Sequence, residues 1–264
     1  MSRRKKESSN LKFAAFFFIL VGALVFLSLI FRVALLIKES KFDGSSHFTI
    51  LIQNSRAQVI SFSPKSSTVG ILTLENTSPK SLEIPIDAGI FSTSPVNNKN
   101  LVSSLSKMLF DFRPAPAGAK NQKEINFIDI FRLLLFSETV KENSISEKLI
   151  TDKSDKSKID SIVSTFFADP QVLDEKASIE IVNATDVYGL GNRLANLVSN
   201  MGGNVILVST GESKNNSEIQ YTRGGYTVEK LSSILGIRSV KTEKKGLPDV
   251  IIVIGNDNIN TLKF

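Results

Sequence analysis

Residues 13–31 run for nineteen positions without a charged side chain. At the helical rise, nineteen residues cover about 29 Å, close to the hydrocarbon thickness of a bilayer. Arg32 interrupts the run and residues 33–37 continue it, so Arg32 is placed to snorkel to the far interface. Phenylalanine covers every face of the segment, which argues against a helix with one buried and one wet side. Arg3, Arg4, Lys5, Lys6 and Lys12 precede it, whereas Arg32, Lys38 and Lys41 are the nearest cations after it. The heavier basic flank predicts a cytoplasmic N-terminus and an extracytoplasmic remainder. The rival is a cleaved signal peptide, but such peptides have shorter apolar cores, and no small-x-small cleavage site stands near residues 32–40. The expectation is a basic tail over 1–12, a transmembrane anchor over 13–37 and a polar stalk over 38–47.

The net charge of +6 is concentrated at the start, because residues 1–12 alone contribute +4. The high pI therefore reports topology and attraction to the inner leaflet. The rest shows no interleaving of basic and aromatic residues, and no nucleic-acid partner is expected. There is no cysteine, which excludes disulfides, thiolate metal sites and thiol nucleophiles. His47 is the single histidine and is read as a stalk residue. A zinc site or a Ser-His-Asp arrangement built on it has no support, and no metal is expected.

Residues 48–170 read as a mixed region. Short strands are predicted over 48–52, 59–62 and 68–74, with a further extended piece over 82–90 broken by Pro85. A helix over 101–110 follows, then a hinge at 113–119 rich in proline and glycine. Residues 125–140 read as an apolar core helix, since Asp129 and Arg132 lie inside it and its uninterrupted apolar run is too short to span a bilayer. Residues 141–158 read as charged and solvated. An amphipathic helix over 159–167 ends at Asp169-Pro170, and residues 171–177 form the boundary.

The last third repeats an order of β-branched strand, helix and strand. Leu190, Leu194, Leu197, Val198 and Met201 share one helix face, and Val228, Leu231, Ile234 and Leu235 share another. Gly202 and Gly236 supply the stops. This predicts a small sheet with helices on one face. Ile181-Val182-Asn183, Gly189-Leu190, Gly202-Gly203, Ile219-Gln220-Tyr221, and Asp249-Val250 through Gly255-Asn256-Asp257 resemble the C-terminal domain of LytR-CpsA-Psr cell-envelope proteins. That family usually has Asn-Gly where this chain has Asn183-Ala184. The expected fold class is mixed α/β in an α+β arrangement. It comprises one transmembrane helix, a diverged α+β domain over 48–170 and a βαβ-βαβ module over 178–264.

Residues 59–74 also resemble a stretch of the family's catalytic domain, in which two strands lead to an Ile-Pro-Arg-Asp motif. Here Ile84-Pro85-Ile86-Asp87 keeps the Asp and loses the Arg, and the family's Asp-Thr pair has no counterpart. A transferase acting on a lipid pyrophosphate needs carboxylates for Mg²⁺ and guanidinium groups for phosphate. Asp87 and Arg56 are the positions left, and only a pocket gathering them with Arg113 would revive catalysis. Asp87 alone is read as a turn residue, no catalytic residue is assigned, and no cofactor is expected unless the transferase reading holds, in which case Mg²⁺ is implied.

The C-terminal module is expected to fold as an autonomous unit, tethered through the intervening residues, that binds or scaffolds cell-wall glycan or an envelope protein. Its contact rim is predicted at Asn183, Asp186, Tyr188, Asn192 and Arg193 on one strand-to-helix turn, with Tyr221 and Arg223 beside Gly224-Gly225. Tyrosine suits sugar stacking and arginine suits anionic polymers. The competing reading of the same residues is helix capping and core cover. Gly189-Leu190-Gly191 begins no dinucleotide fingerprint, because Leu194 takes the third glycine's place. The alternative functions are a glycopolymer phosphotransferase and a transcriptional attenuator; the predicted topology, with about 12 residues in the cytoplasm, argues against the latter.

Overall fold

The structure is a computed structural model that describes residues 4–53, 56–92, 95–111, 125–151, 155–243 and 248–259. Helix α1 (Arg4–Glu39) carries the apolar span Phe13–Glu39, no residue of which is buried by the rest of the protein.

Five strands follow in a first sheet: β1 (Phe48–Gln53), β2 (Gln58–Ser63), β3 (Thr68–Glu75), β4 (Ala88–Phe91) and β5 (Ile145–Thr151), ordered β4-β1-β2-β3-β5. The first three form an antiparallel meander; β4 and β5 add in parallel at its two edges. Alternation along each strand sends side chains to both faces, and both are covered. Phe48, Ile50, Ile52, Ile60 and Phe62 pack under α2 (Leu101–Phe110) and α3 (Phe127–Thr139). Leu51, Val59, Leu72 and Leu74 pack under α4 (Lys156–Phe167). Gly70 permits that closure, since a Cβ there would stand 2.4 Å from the Phe166 ring.

The second sheet, ordered β7-β6-β10-β8-β9, comprises β6 (Ser178–Asn183), β7 (Asn204–Thr210), β8 (Glu218–Tyr221), β9 (Ser239–Lys241) and β10 (Val250–Ile254). Helix α6 (Leu190–Asn200) links parallel β6 and β7, and α7 (Tyr226–Leu235) links parallel β8 and β9. Two βαβ units thus flank β10, which runs parallel to β6 and antiparallel to β8. Both helices bury their apolar stripes against Ile179, Ile181, Ile219, Val250 and Ile252. The observed class is α+β.

Several expectations are corrected. Residues 141–158 contain β5, an edge strand that leaves Glu147 and Lys148 in water and buries Ile150; charge on an edge strand blocks further pairing and hides the strand from a hydropathy reading. The boundary 171–177 contains helix α5 (Pro170–Glu175), with Pro170 in its first turn and Asp169 accepting from the Gln171 N–H at 2.9 Å. Residues 40–47 do not hang free as a stalk. Phe42 is fully buried, and the Asp129 carboxylate accepts from Ser40 Oγ (2.7 Å) and from the backbone N–H groups of Lys41 (2.7 Å) and Phe42 (2.8 Å).

The C-terminal module is not a separately tethered unit either. Lys230 of α7 is buried and reaches the first domain, where Nζ donates to Asp87 Oδ1 (2.8 Å), Asp87 Oδ2 (2.9 Å) and the His47 carbonyl (2.7 Å). Asp87 is therefore a buried partner and no surface turn residue; its Oδ2 also accepts from the Thr49 N–H at 2.9 Å. His47 is likewise buried, with Nε2 2.8 Å from Ser61 Oγ, and burial together with the Lys230 charge lowers its pKa. Around this pair, the Tyr226 hydroxyl donates to Asp169 at 2.7 Å and Asn200 donates to the Glu83 carbonyl at 3.0 Å. Glu175 caps α7 by accepting from the Tyr226 and Thr227 N–H groups.

Removing one partner of a buried pair strands the other charge. Asp87→Ala should destabilise the full chain in detergent micelles by about 3–5 kcal/mol, and adding Lys230→Met should restore most of the loss. Equilibrium urea unfolding of the two single variants and the double variant checks this; a double variant as weak as Asp87→Ala would show that the pair does not carry the joint.

Candidate functional site

Strand β6 ends at Asn183, and its side chain builds the turn into α6. Asn183 Oδ1 accepts from the Thr185 N–H (3.2 Å) and Thr185 Oγ1 (2.7 Å), while Nδ2 donates to the Val187 carbonyl (3.0 Å). An asparagine that closes such a loop replaces backbone pairing lost at the strand end. Ala184 sits where the resembled family has glycine. It is buried, and it is absent from the residues with positive φ, so its backbone makes no demand that only glycine meets. Gly189 does need its freedom, with φ at 79° where α6 begins. Gly191 lets the helix close on the sheet, since a Cβ there would lie 3.1 Å from Val208.

These constraints leave a cleft of about 380 Å³ between the turn and the end of β7. Asn183, Asp186, Tyr188, Asn192 and residues 208–210 line it. Asp186 and Asn192 are exposed, and Tyr188 is 101% exposed. An aromatic ring left entirely in water beside a carboxylate and an amide offers one stacking face and several hydrogen-bonding groups, which is the chemistry that recognises a sugar.

The structure brings only part of the predicted rim together. Arg193 turns away and pairs with Glu83 of the first domain at 3.6 Å. Tyr221 and Arg223 lie at the opposite end of the sheet. Val250 stands beside both Tyr221 and Ile179, whereas Ile254 stands beside Asn183, so four residues, or about 13 Å of strand, separate the two groups. The single rim drawn from both loops is corrected accordingly. Tyr221 packs against the core, and Arg223 is exposed near the Glu175 and Asp249 carboxylates.

The first domain does not gather a catalytic group from its candidates. Arg56 pairs with Glu75 at 3.4 Å beyond the far end of β1, while Asp87 bonds to Thr49 near its start. Arg113 lies outside the described residues. Among the described residues no cluster of three or more His, Asp or Glu side chains is placed to hold a metal.

The acidic residues of the C-terminal signature act as staples. Asp249 Oδ2 accepts from the Ser178 N–H (2.9 Å) and Oγ (2.6 Å), tying the starts of β6 and β10. Asp257 Oδ1 accepts from the Ser217 N–H (2.9 Å) and Oγ (2.7 Å) beyond the other end. Gly255 is required between them, because a Cβ would stand 2.6 Å from the Asn216 backbone. Sequence spacing gave no sign of these partners, which stand 71 and 40 positions away.

The hydrogen bonds from the Ser178 hydroxyl and N–H hold the Asp249 carboxyl below its ordinary pKa. A depressed folded-state pKa contributes stability above the unfolded value, and that contribution is lost as pH falls through the folded one. Asp249→Asn should therefore lower stability at neutral pH and flatten the loss of stability below about pH 4. Thermal unfolding of the full chain from pH 7 to pH 3 measures both; an acid limb unchanged by Asp249→Asn overturns the assignment.

No curated protein and no solved structure matches the chain. Residues 176–257 match the family model described as LytR cell envelope-related transcriptional attenuator. The match begins just before β6 and ends after β10, so the second sheet with its two helices is a LytR-type C-terminal domain.

Proposed function

We propose that this chain is a single-pass envelope protein that binds cell-wall glycan at the β6–α6 cleft. The LytR-type domain connects it to the cell envelope, and the N-terminal apolar helix fits a membrane anchor. The basic flank at Arg3, Arg4, Lys5, Lys6 and Lys12 supports a cytoplasmic N-terminus with the two sheets outside. The observation that carries the binding assignment is Tyr188: a fully exposed ring on the rim of a cleft whose neighbours, Asp186 and Asn192, also face water. A tyrosine that served only the core would be at least half covered. The geometry lends no support to phosphoryl transfer at Asp87, whose carboxylate is taken up by Lys230 and the Thr49 N–H.

In detergent solution the full chain should co-sediment with purified wall sacculi. Tyr188→Ala with Asn192→Ala should weaken retention about tenfold, equivalent to roughly 1.4 kcal/mol, without lowering the melting temperature. Arg223→Ala, at the other end of the sheet, should bind like the native chain. Native protein that stays in the supernatant would refute glycan binding and favour an envelope-protein partner.

Orientation has its own check. Protease added to intact cells with a permeable outer layer should degrade the C-terminal domain; degradation only after lysis would place that domain in the cytoplasm.

A further inference from the structure

Helix α3 buries one side and leaves the other oddly apolar. Ile130, Leu133 and Leu134 enter the core, whereas Phe127, Phe131 and Leu135 are 44%, 43% and 47% exposed. Their spacing of four residues lines them up as one stripe about 12 Å long. A helix face meant for water normally carries charge. Here the first charged residue on the exposed side is Glu138, one residue from the end, because Arg132 bends inward to donate to Ser40 Oγ (3.0 Å) and the Phe42 carbonyl (2.8 Å).

The position of this stripe singles out what covers it. Asn126 caps α3, and its Nδ2 donates to the Leu36 carbonyl of α1 at 2.9 Å. Asp129, in the first turn of α3, holds residues 40–42 as they leave α1. The stripe therefore begins one residue beyond a direct bond to the last turns of the apolar span. Lys38, exposed in the final turn of α1, marks the level at which a snorkelling ammonium meets headgroups. A stripe of this length cannot cross a bilayer, and it has the apolar face of a helix lying in the interface.

We infer that α3 is a membrane-interfacial helix: Phe127, Phe131 and Leu135 rest in the headgroup–acyl boundary of the leaflet from which α1 emerges, docking the first domain on the bilayer surface. The inference rests on α1 spanning that bilayer, and the experiment separates the two.

The chain has no cysteine, so one introduced thiol is a unique labelling site. Full-length Phe131→Cys and Leu135→Cys, each carrying an environment-sensitive fluorophore, are reconstituted in phosphatidylcholine–phosphatidylglycerol vesicles. Leu24→Cys in α1 and Glu229→Cys on the exposed side of α7 are the references. Lipids bearing a nitroxide near the headgroup end should remove about half or more of the emission at 131 and 135, as expected for insertion of about 5–10 Å, and leave 229 unchanged. Nitroxide deep in the chains should quench position 24. If 24 is quenched while 131 and 135 keep water-like, unquenched emission, the docking is wrong and the anchor stands. Blue-shifted but unquenched emission at 131 and 135 would mean that protein covers the stripe, which also overturns the docking. An unquenched position 24 would remove the span itself and the docking with it.

Discussion

One buried ammonium sets how the two halves of this protein meet. Lys230 donates three hydrogen bonds, two to Asp87 and one to the His47 carbonyl, and both charged side chains are withdrawn from water. A pair of this kind gains little over apolar packing, because desolvating two charges offsets most of their attraction. Its effect is selectivity. An apolar interface tolerates sliding and rotation, but a buried ammonium with three acceptors has one arrangement that satisfies it. The neighbouring contacts, from Tyr226 to Asp169 and from Asn200 to Glu83, can form only in that arrangement. Burial and the neighbouring Lys230 charge lower the pKa of His47, and burial together with the bond to Asp169 raises that of Tyr226.

The elements with strong period were legible in the sequence. Strands β1 to β3 follow from runs of β-branched and aromatic residues, and α6 and α7 follow from the spacing of Leu190, Leu194, Leu197, Leu231 and Leu235 with glycine stops. The joints were not. Asp87 looked like a turn residue after Pro85 and His47 like part of a stalk, while the apolar spacing that marks α7 carries no sign of a role for Lys230. Each is polar, and its partner lies 143 or 183 positions away, beyond the reach of any periodicity. Asp129 inside an apolar helix was legible as a reason not to cross a membrane; its role in gripping residues 40–42 was not.

The candidate site divides in the same way. Asn183, Asp186, Tyr188 and Asn192 sit within ten residues of one another on one turn, so local order was enough to place them together. Tyr221 and Arg223 were joined to them only by chemical likeness, and the antiparallel pairing of β8 with β10 sends that loop to the other end of the sheet. Asp249 and Asp257 show the converse. Acidic residues in a family signature invite a functional reading, yet here each closes a strand end against a serine.

The two polar joints also act in series. The Asp129 grip fixes the end of α1 to the first domain, and the Lys230–Asp87 pair fixes the first domain to the second. A free stalk over residues 38–47 would let the domains wander by about 18 Å relative to the anchor. With both joints made, the position of the β6–α6 cleft relative to α1 is set by packing and not by linker length. An arm of this kind holds the cleft in one layer at one orientation, at the cost of the volume that a flexible tether would search. On the proposed glycan-binding reading, weak contacts through Tyr188 and its neighbours would gain most from that arrangement, because the fold would already have met the orientational cost of binding a surface-bound polymer.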